Sequence, residues 1–154
     1  MKYMSTLLVV NDINKSVDFY GNVLGLKVIA DFGANKTLTG GIALQTLDTW
    51  KEFISKKQNE IAFGSNAYEI YFEEDDMDAF IVRLKGISIN YVHELKEHAW
   101  GQRVVRFYDL DNHIIEVGEN LSAVAKRFMN NGMTTEQVAL RMGIPLNYAK
   151  LLIV

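Results

Sequence analysis

The sequence predicts an α+β fold made of two tandem βαβββ modules followed by a helical extension. Three observations point to it. Residues 1–47 read as a strand, a capped helix and three further strands. The same order of signals returns over 67–119, displaced by 64 residues. Beyond 119, alternation gives way to helical spacing with glycine and proline at the joints. A repeated supersecondary unit outranks any single local reading, because it fixes the topology of both copies together.

Residues 2–10 alternate and are rich in Leu and Val, with Ser5, Leu7 and Val9 on one face and Thr6, Leu8 and Val10 on the other. Asp12 is a helix N-cap, since its carboxylate can accept from orphan amides of the first turn. Ile13, Val17, Tyr20 and Leu24 then form one helical stripe, and Gly25 ends it. Strands are expected near 26–31, 35–39 and 41–46. Residues 48–66 are polar with isolated aromatics and read as a connection that can hold one helical turn.

The pattern then restarts. Residues 68–74 alternate, with Glu69, Tyr71 and Glu73 on one face. Asp76 caps a helix whose stripe is Met77, Phe80, Ile81 and Leu84, and Gly86 ends it. Strands near 88–93, 103–109 and 113–118 complete the second module. Three short helices follow, at about 120–131, 134–142 and 145–153. Thr134 or Thr135 caps the second, Gly143 closes it, and Pro145 suits the first turn of the third. The domain boundaries are thus 1–119, with modules about 1–47 and 67–119, and 120–154 for the extension.

Composition removes several function classes. There is no cysteine, which excludes disulfides, thiol catalysis and cysteine-ligated zinc. Residues 1–118 carry 12 basic and 17 acidic side chains, which argues against nucleic acid as a partner of the main body. No apolar run approaches the ~20 residues that span a bilayer. The opening MKYMSTLLVVND reads directly as a strand without a cleavage site, so the expected setting is cytoplasmic. Phosphate-loop, dinucleotide and nucleophile-elbow glycine motifs are missing. The acidic run Glu73–Asp76 with Asp78 lacks calcium-loop spacing and suits a helix N-terminus, where the dipole favours negative charge.

Two segments, LLVVNDINKSVDFYGNVLGLKV (7–28) and WGQRVVRFYDLDNHIIEVGE (100–119), resemble the vicinal oxygen chelate superfamily, which includes glyoxalase I, extradiol dioxygenases and bleomycin-binding proteins. The second resembles the family's Trp-Gly-x-Arg segment and its Asp-Pro-Asp-Gly turn, here Asp109-Leu-Asp-Asn-His113 without the proline and glycine. The resemblance implies a curved, barrel-like mixed sheet enclosing a cleft, and homodimerisation. It places the family's four metal-ligand positions at Ser5, Ala43, Glu69 and Glu116. Ala43 has no ligating atom, and none of His93, His98 or His113 falls at such a position. Two carboxylates and a hydroxyl make a poor site for zinc or nickel, though magnesium or manganese accepts oxygen ligands. No cofactor or tight metal is therefore expected; any weak divalent ion would use Glu69 and Glu116.

On that mapping Glu69 and Glu116 face each other. Facing carboxylates repel, which points either to a cationic ligand between them or to acid–base chemistry with Glu116 as the catalytic residue. Trp50, with Phe53 nearby, is a candidate aromatic wall, or else a core cap or dimer contact. Trp100 and Arg103 are candidate ligand contacts, although Arg103 suits equally a structural pair with a glutamate. Tyr71 and Phe107 are candidate lining residues, with the core as the alternative. His98 reads as a loop residue that could shuttle a proton, and His113 as a turn residue. The tail carries the outline of a helix-turn-helix, but its second helix is apolar with one lysine, so it is expected to pack on the main body or a partner subunit. The expected function is small-molecule binding of the bleomycin-resistance kind without a tight metal. The alternative is a glyoxalase-like lyase or isomerase using a weak divalent ion at Glu69 and Glu116.

Overall fold

A computed structural model describes residues 1–154, and the chain divides into two compact units. The first is Met1–Tyr68 with Tyr108–His113; the second is Glu69–Phe107 with Ile114–Val154. The segment Tyr108–His113 is thus grouped with the first unit, and the C-terminal helices with the second. No helix is long and apolar enough to cross a membrane.

The first unit contains β1 (Thr6–Val10), α1 (Ile13–Leu24), β2 (Val28–Asp31), β3 (Asn35–Leu38) and β4 (Ile42–Thr46). Its sheet runs β1-β4-β3-β2, with β1 parallel to β4 and β3 antiparallel to both its neighbours. Two helical pieces follow: α2 (Leu47–Phe53) and a 3₁₀ turn at Gln58–Glu60. The polar connection is therefore more helical than its sequence indicates. Asp48 in the first turn and Lys51 near the end of α2 suit the helix dipole and pair at 2.8 Å.

The second unit repeats the plan with β5 (Glu69–Glu74), α3 (Met77–Lys85), β6 (Asn90–Glu97), β7 (Arg103–Tyr108) and β8 (Ile114–Glu119), in the order β5-β8-β7-β6. The repeat extends to register. Leu7 sits beside Ala43, and its counterpart 64 residues on, Tyr71, sits beside Glu116. Each sheet is a separate four-stranded entity; they are not hydrogen-bonded into one closed barrel.

Helix ends follow local chemistry. Asp12 accepts from the amides of Asn14 and Lys15, and Gly25 ends α1 with φ +71°. Asp76 accepts from Ala79 N at 2.9 Å, whereas Gly86 closes α3 in a right-handed conformation. The buried face of α1 is Ile13, Ser16, Tyr20 and Val23, rotated from the apolar stripe because Ser16 turns inward towards an acidic partner described below. In α3 the buried residues are Met77, Phe80 and Leu84.

The tail forms α4 (Leu121–Asn130), α5 (Thr135–Met142) and α6 (Leu146–Ile153). Thr134 and Gln137 make a reciprocal capping box on α5. Pro145 stands at the N-cap of α6, one place before the first turn. The three helices share a core of Val124, Ala125, Phe128, Val138, Met142 and Leu152. They are fastened within the second unit. Arg127 donates to Gly101 O at 2.6 Å, and Arg141 bridges to Glu97 at 3.1 Å. Gly101 has φ +90°, and a Cβ there would collide with the Phe128 ring, so only glycine admits this approach.

Candidate functional site

Strand parity sets the acidic pair of the second unit. Glu69 and Tyr71 alternate outward along β5, and parallel pairing with β8 places Glu116 beside Tyr71. The two carboxylates are joined by an arginine from β7. Arg106 Nε donates to Glu69 Oε2 at 2.8 Å, and its Nη2 is ion-paired with Glu116 Oε2. Its Nη1 lies 3.2 Å from His93 Nε2, whose ring directs Nδ1 to the Glu94 carbonyl at 2.8 Å. The Glu116 side chain is 8% exposed and that of Glu69 is 39% exposed.

This corrects the expectation of two repelling carboxylates awaiting a cation. The cation is built in. A buried carboxylate needs a fixed counter-charge, and the Arg106 guanidinium, hydrogen-bonded to Glu69, supplies one to Glu116 by ion pairing, although Glu116 Oε2 itself makes no hydrogen bond. Glu116 is therefore half of an ion pair rather than a free acid–base group. No group of three or more His, Asp or Glu residues is placed to hold a metal ion. Arg106 escaped the sequence reading because its role depends on the β7–β8 register, although it lies three residues after Arg103 in a strand that adjoins Glu116.

Arg103 has a structural role. Its Nη2 donates to Glu119 Oε1 at 2.9 Å and its Nη1 to Asp78 Oδ1 at 2.7 Å. Arg127 adds Nη2 to Glu119 Oε2 at 2.9 Å. Burial opposes ionisation of Glu119, but hydrogen bonds from Arg103 and Arg127 outweigh it and hold the carboxyl below its usual range. Trp100 is 42% exposed, stacks on His98 at 4.3 Å and donates to Gln102 Oε1 at 3.1 Å. Desolvation, with Arg106 and His93 as like charges, lowers the pKa of His98. Gln102 Nε2 donates to Tyr71 OH at 3.1 Å and to Glu119 O at 2.9 Å. Tyr71 itself is half exposed, and Gly118 leaves the space its ring needs. Phe107 corrects an expectation: it is fully buried and offers no surface to a ligand.

One concave site of the first unit is a pocket of about 380 Å³. Its walls include Leu7 and Leu8 of β1, Trp50 of α2, and Phe63, Tyr68 and His113. Trp50 is part of this lining, whereas Phe53 is not and is 69% exposed. Ser5 lies just ahead of β1, half-buried and outside the pocket lining, and Ala43 is buried beside Leu7.

His113 reaches this pocket through the turn Asp109–His113. Asp109 Oδ1 accepts from the amides of Asp111 at 2.9 Å and His113 at 2.8 Å, which curls the chain back on itself. Asn112 takes the left-handed place at φ +62°, the conformation that asparagine tolerates best after glycine. Asp109 Oδ2 accepts from Tyr20 OH at 2.8 Å and from His113 Nδ1 at 2.7 Å. Asp111 Oδ1 accepts from Asn11 N at 3.0 Å and Asn11 Nδ2 at 2.6 Å, and Ser16 Oγ approaches its Oδ2 at 3.5 Å. Burial, then the Asp109 charge, pushes the Tyr20 hydroxyl far up. His113, read from sequence as a turn residue, is thus buried at 4% exposure on a carboxylate and forms part of a pocket wall.

Residues 3–122 match the family model described as Glyoxalase-like domain. The Uncharacterized protein YraH of Bacillus subtilis (strain 168) is 30% identical over 131 residues, spanning 76% of this chain and 97% of that protein. A crystal structure of a protein of unknown function from Agrobacterium tumefaciens str. C58 is 38% identical, with a TM-score of 0.71 over 78% of this chain and 94% of its own. A glyoxalase/bleomycin resistance protein/dioxygenase family enzyme from Burkholderia phytofirmans PsJN is alike in fold, with a TM-score of 0.67 at 14% identity over 77% of this chain and 98% of its own.

Proposed function

The chain belongs to the glyoxalase-like domain family of the vicinal oxygen chelate superfamily, and from that premise we propose that it binds a small organic molecule without a tight metal at Glu69 and Glu116. The observation that carries the reading is Arg106. A divalent ion entering between those carboxylates would have to displace a guanidinium that already pairs with both. The glyoxalase-like lyase or isomerase alternative needs that displacement and lacks a third protein ligand.

The pocket beside Trp50 is the binding place in this reading. Its size suits a small ligand, and its walls are mainly apolar and aromatic. A cationic ligand loses its motive, because Arg106 fills the cationic role at the acidic pair. A neutral, planar, largely apolar compound fits the lining better. A cytoplasmic setting, with which the lack of cysteine agrees, and a homodimer belong to the same proposal.

Two measurements on the purified protein test it. Trp50 fluorescence, read in a W100F background, should quench saturably with some members of a panel of neutral aromatic compounds. Calorimetry with Mg²⁺, Mn²⁺, Ni²⁺ and Zn²⁺ should give no binding tighter than millimolar. Stoichiometric metal that is lost on E116Q, with no saturable quenching across the panel, would overturn the reading in favour of the lyase.

A further inference from the structure

We propose that His113 Nε2 is the polar anchor of the Trp50 pocket, accepting a hydrogen bond from a weakly acidic hydroxyl on an otherwise apolar, planar ligand of the phenol or enol class. This rests on the reading of that pocket as a small-molecule site and adds the chemistry of what it selects.

The proton on the imidazole is placed by its partners. Asp109 can only accept, so the 2.7 Å contact has His113 Nδ1–H donating to Oδ2. The same carboxylate takes Tyr20 OH and two main-chain amides, four donors in all, so neither its position nor its orientation is free. In the neutral ring a proton on Nδ1 leaves a lone pair on Nε2. No protein hydrogen bond reaches Nε2, and the atom is not sealed from solvent. Phe63 and Tyr68 flank the ring, at centroid distances of 6.2 and 6.0 Å, and fix its plane.

The rest of the lining leaves that acceptor conspicuous. Leu7, Leu8, Val9, Ile61, Ala62 and Phe63 offer no side-chain polar atom, and Thr6 Oγ1 is taken by Tyr3 OH at 2.5 Å. Trp50 Nε1–H can only donate, so the Tyr68 hydroxyl is the one other side-chain acceptor without a protein partner in the lining. A ligand hydroxyl entering the pocket loses water, and a preset acceptor restores its hydrogen bond. A methyl ether of the same shape leaves that acceptor unsatisfied instead. The Asp109–His113 arrangement can also draw the hydroxyl proton part-way, because the carboxylate stabilises developing charge on the ring. The pocket therefore selects for an acidic O–H, which shape alone does not discriminate.

The probes are 2-naphthol and 2-methoxynaphthalene, titrated by calorimetry at pH 8. Wild-type protein should bind the naphthol about tenfold more tightly than the ether, the effect of one desolvated hydrogen bond. In H113F that preference should vanish while the ether still binds. Because H113F removes a buried group and can unfold the protein, ¹⁵N spectra of the wild type give a second readout: naphthol should shift the His113 Nε2 resonance, and the ether should not. Equal affinity for both probes in the wild type, or a preference that survives in folded H113F, overturns the inference and leaves the pocket reading intact. If neither probe nor any compound of the wider panel binds, the pocket reading fails and this inference fails with it.

Discussion

Replacing Arg106 with leucine removes the one cation that serves both Glu69 and Glu116. The two carboxylates then carry unequal costs. Glu69 is well exposed, so water takes over and its loss is below about 1 kcal/mol. Glu116 is 6% exposed and is left charged without a partner in the sheet. Removing one member of a buried pair costs about 3–5 kcal/mol, and partial access places Glu116 at the low end. R106L is therefore expected to lose about 3 kcal/mol of stability. Urea denaturation followed by circular dichroism measures it. The double variant R106L/E116L removes the orphaned charge along with its partner and should recover most of the loss, because apolar replacement of a whole buried pair is often close to neutral. A loss in R106L below about 1 kcal/mol, or a double variant no more stable than R106L, would refute the idea that the guanidinium is what makes Glu116 tolerable.

Other perturbations have equally definite outcomes. G101A forces an alanine to φ +90° and drives its Cβ into Phe128, so it should destabilise by about 3 kcal/mol in the same assay, and a neutral result would mean the tail helices can shift away. Y20F leaves Asp109 with three donors instead of four and should cost about 1–2 kcal/mol, read from the shift in urea midpoint. Glu119 has a folded pKa below its ordinary 4.5, so its contribution is full above that value and is lost as pH falls through the lowered one. Wild-type stability should therefore drop between pH 5 and pH 3 more steeply than that of E119Q, which starts lower at pH 7; parallel pH profiles would contradict the assignment.

Much of the architecture was legible because its signals are local. Asp12, Gly25 and Asp76 declare helix ends within a few residues of sequence, and the 64-residue offset carried the topology from one module to the other. Register corresponds as well, with Leu7 beside Ala43 and Tyr71 beside Glu116, although the spacing between the modules has widened beyond 64 by the last strand. What stayed hidden depends on distant chain segments. The α1 stripe was misplaced by one residue because no periodicity reveals that Ser16 is drawn inward towards Asp111, 95 residues away. Arg106 looked like one more strand residue until β7 met β8. His113 looked like turn decoration because its burial is created by Asp109 together with Tyr20, a residue of the first helix. Phe107 went the other way: its alternation was correct, but only packing decides which side of a strand is closed off.

The membership of Tyr108–His113 in the first unit also bears on how the chain is made. Asn11 and Tyr20 are synthesised early, yet their acidic partners, Asp111 and Asp109, lie roughly 90–100 positions later. As the nascent polypeptide leaves the ribosome at ~5–20 residues per second, the leading half must wait for the far hairpin before its polar groups are all satisfied. A gene fragment ending near residue 68 would lack that closure, so the first duplicate is not free to return to an independent existence.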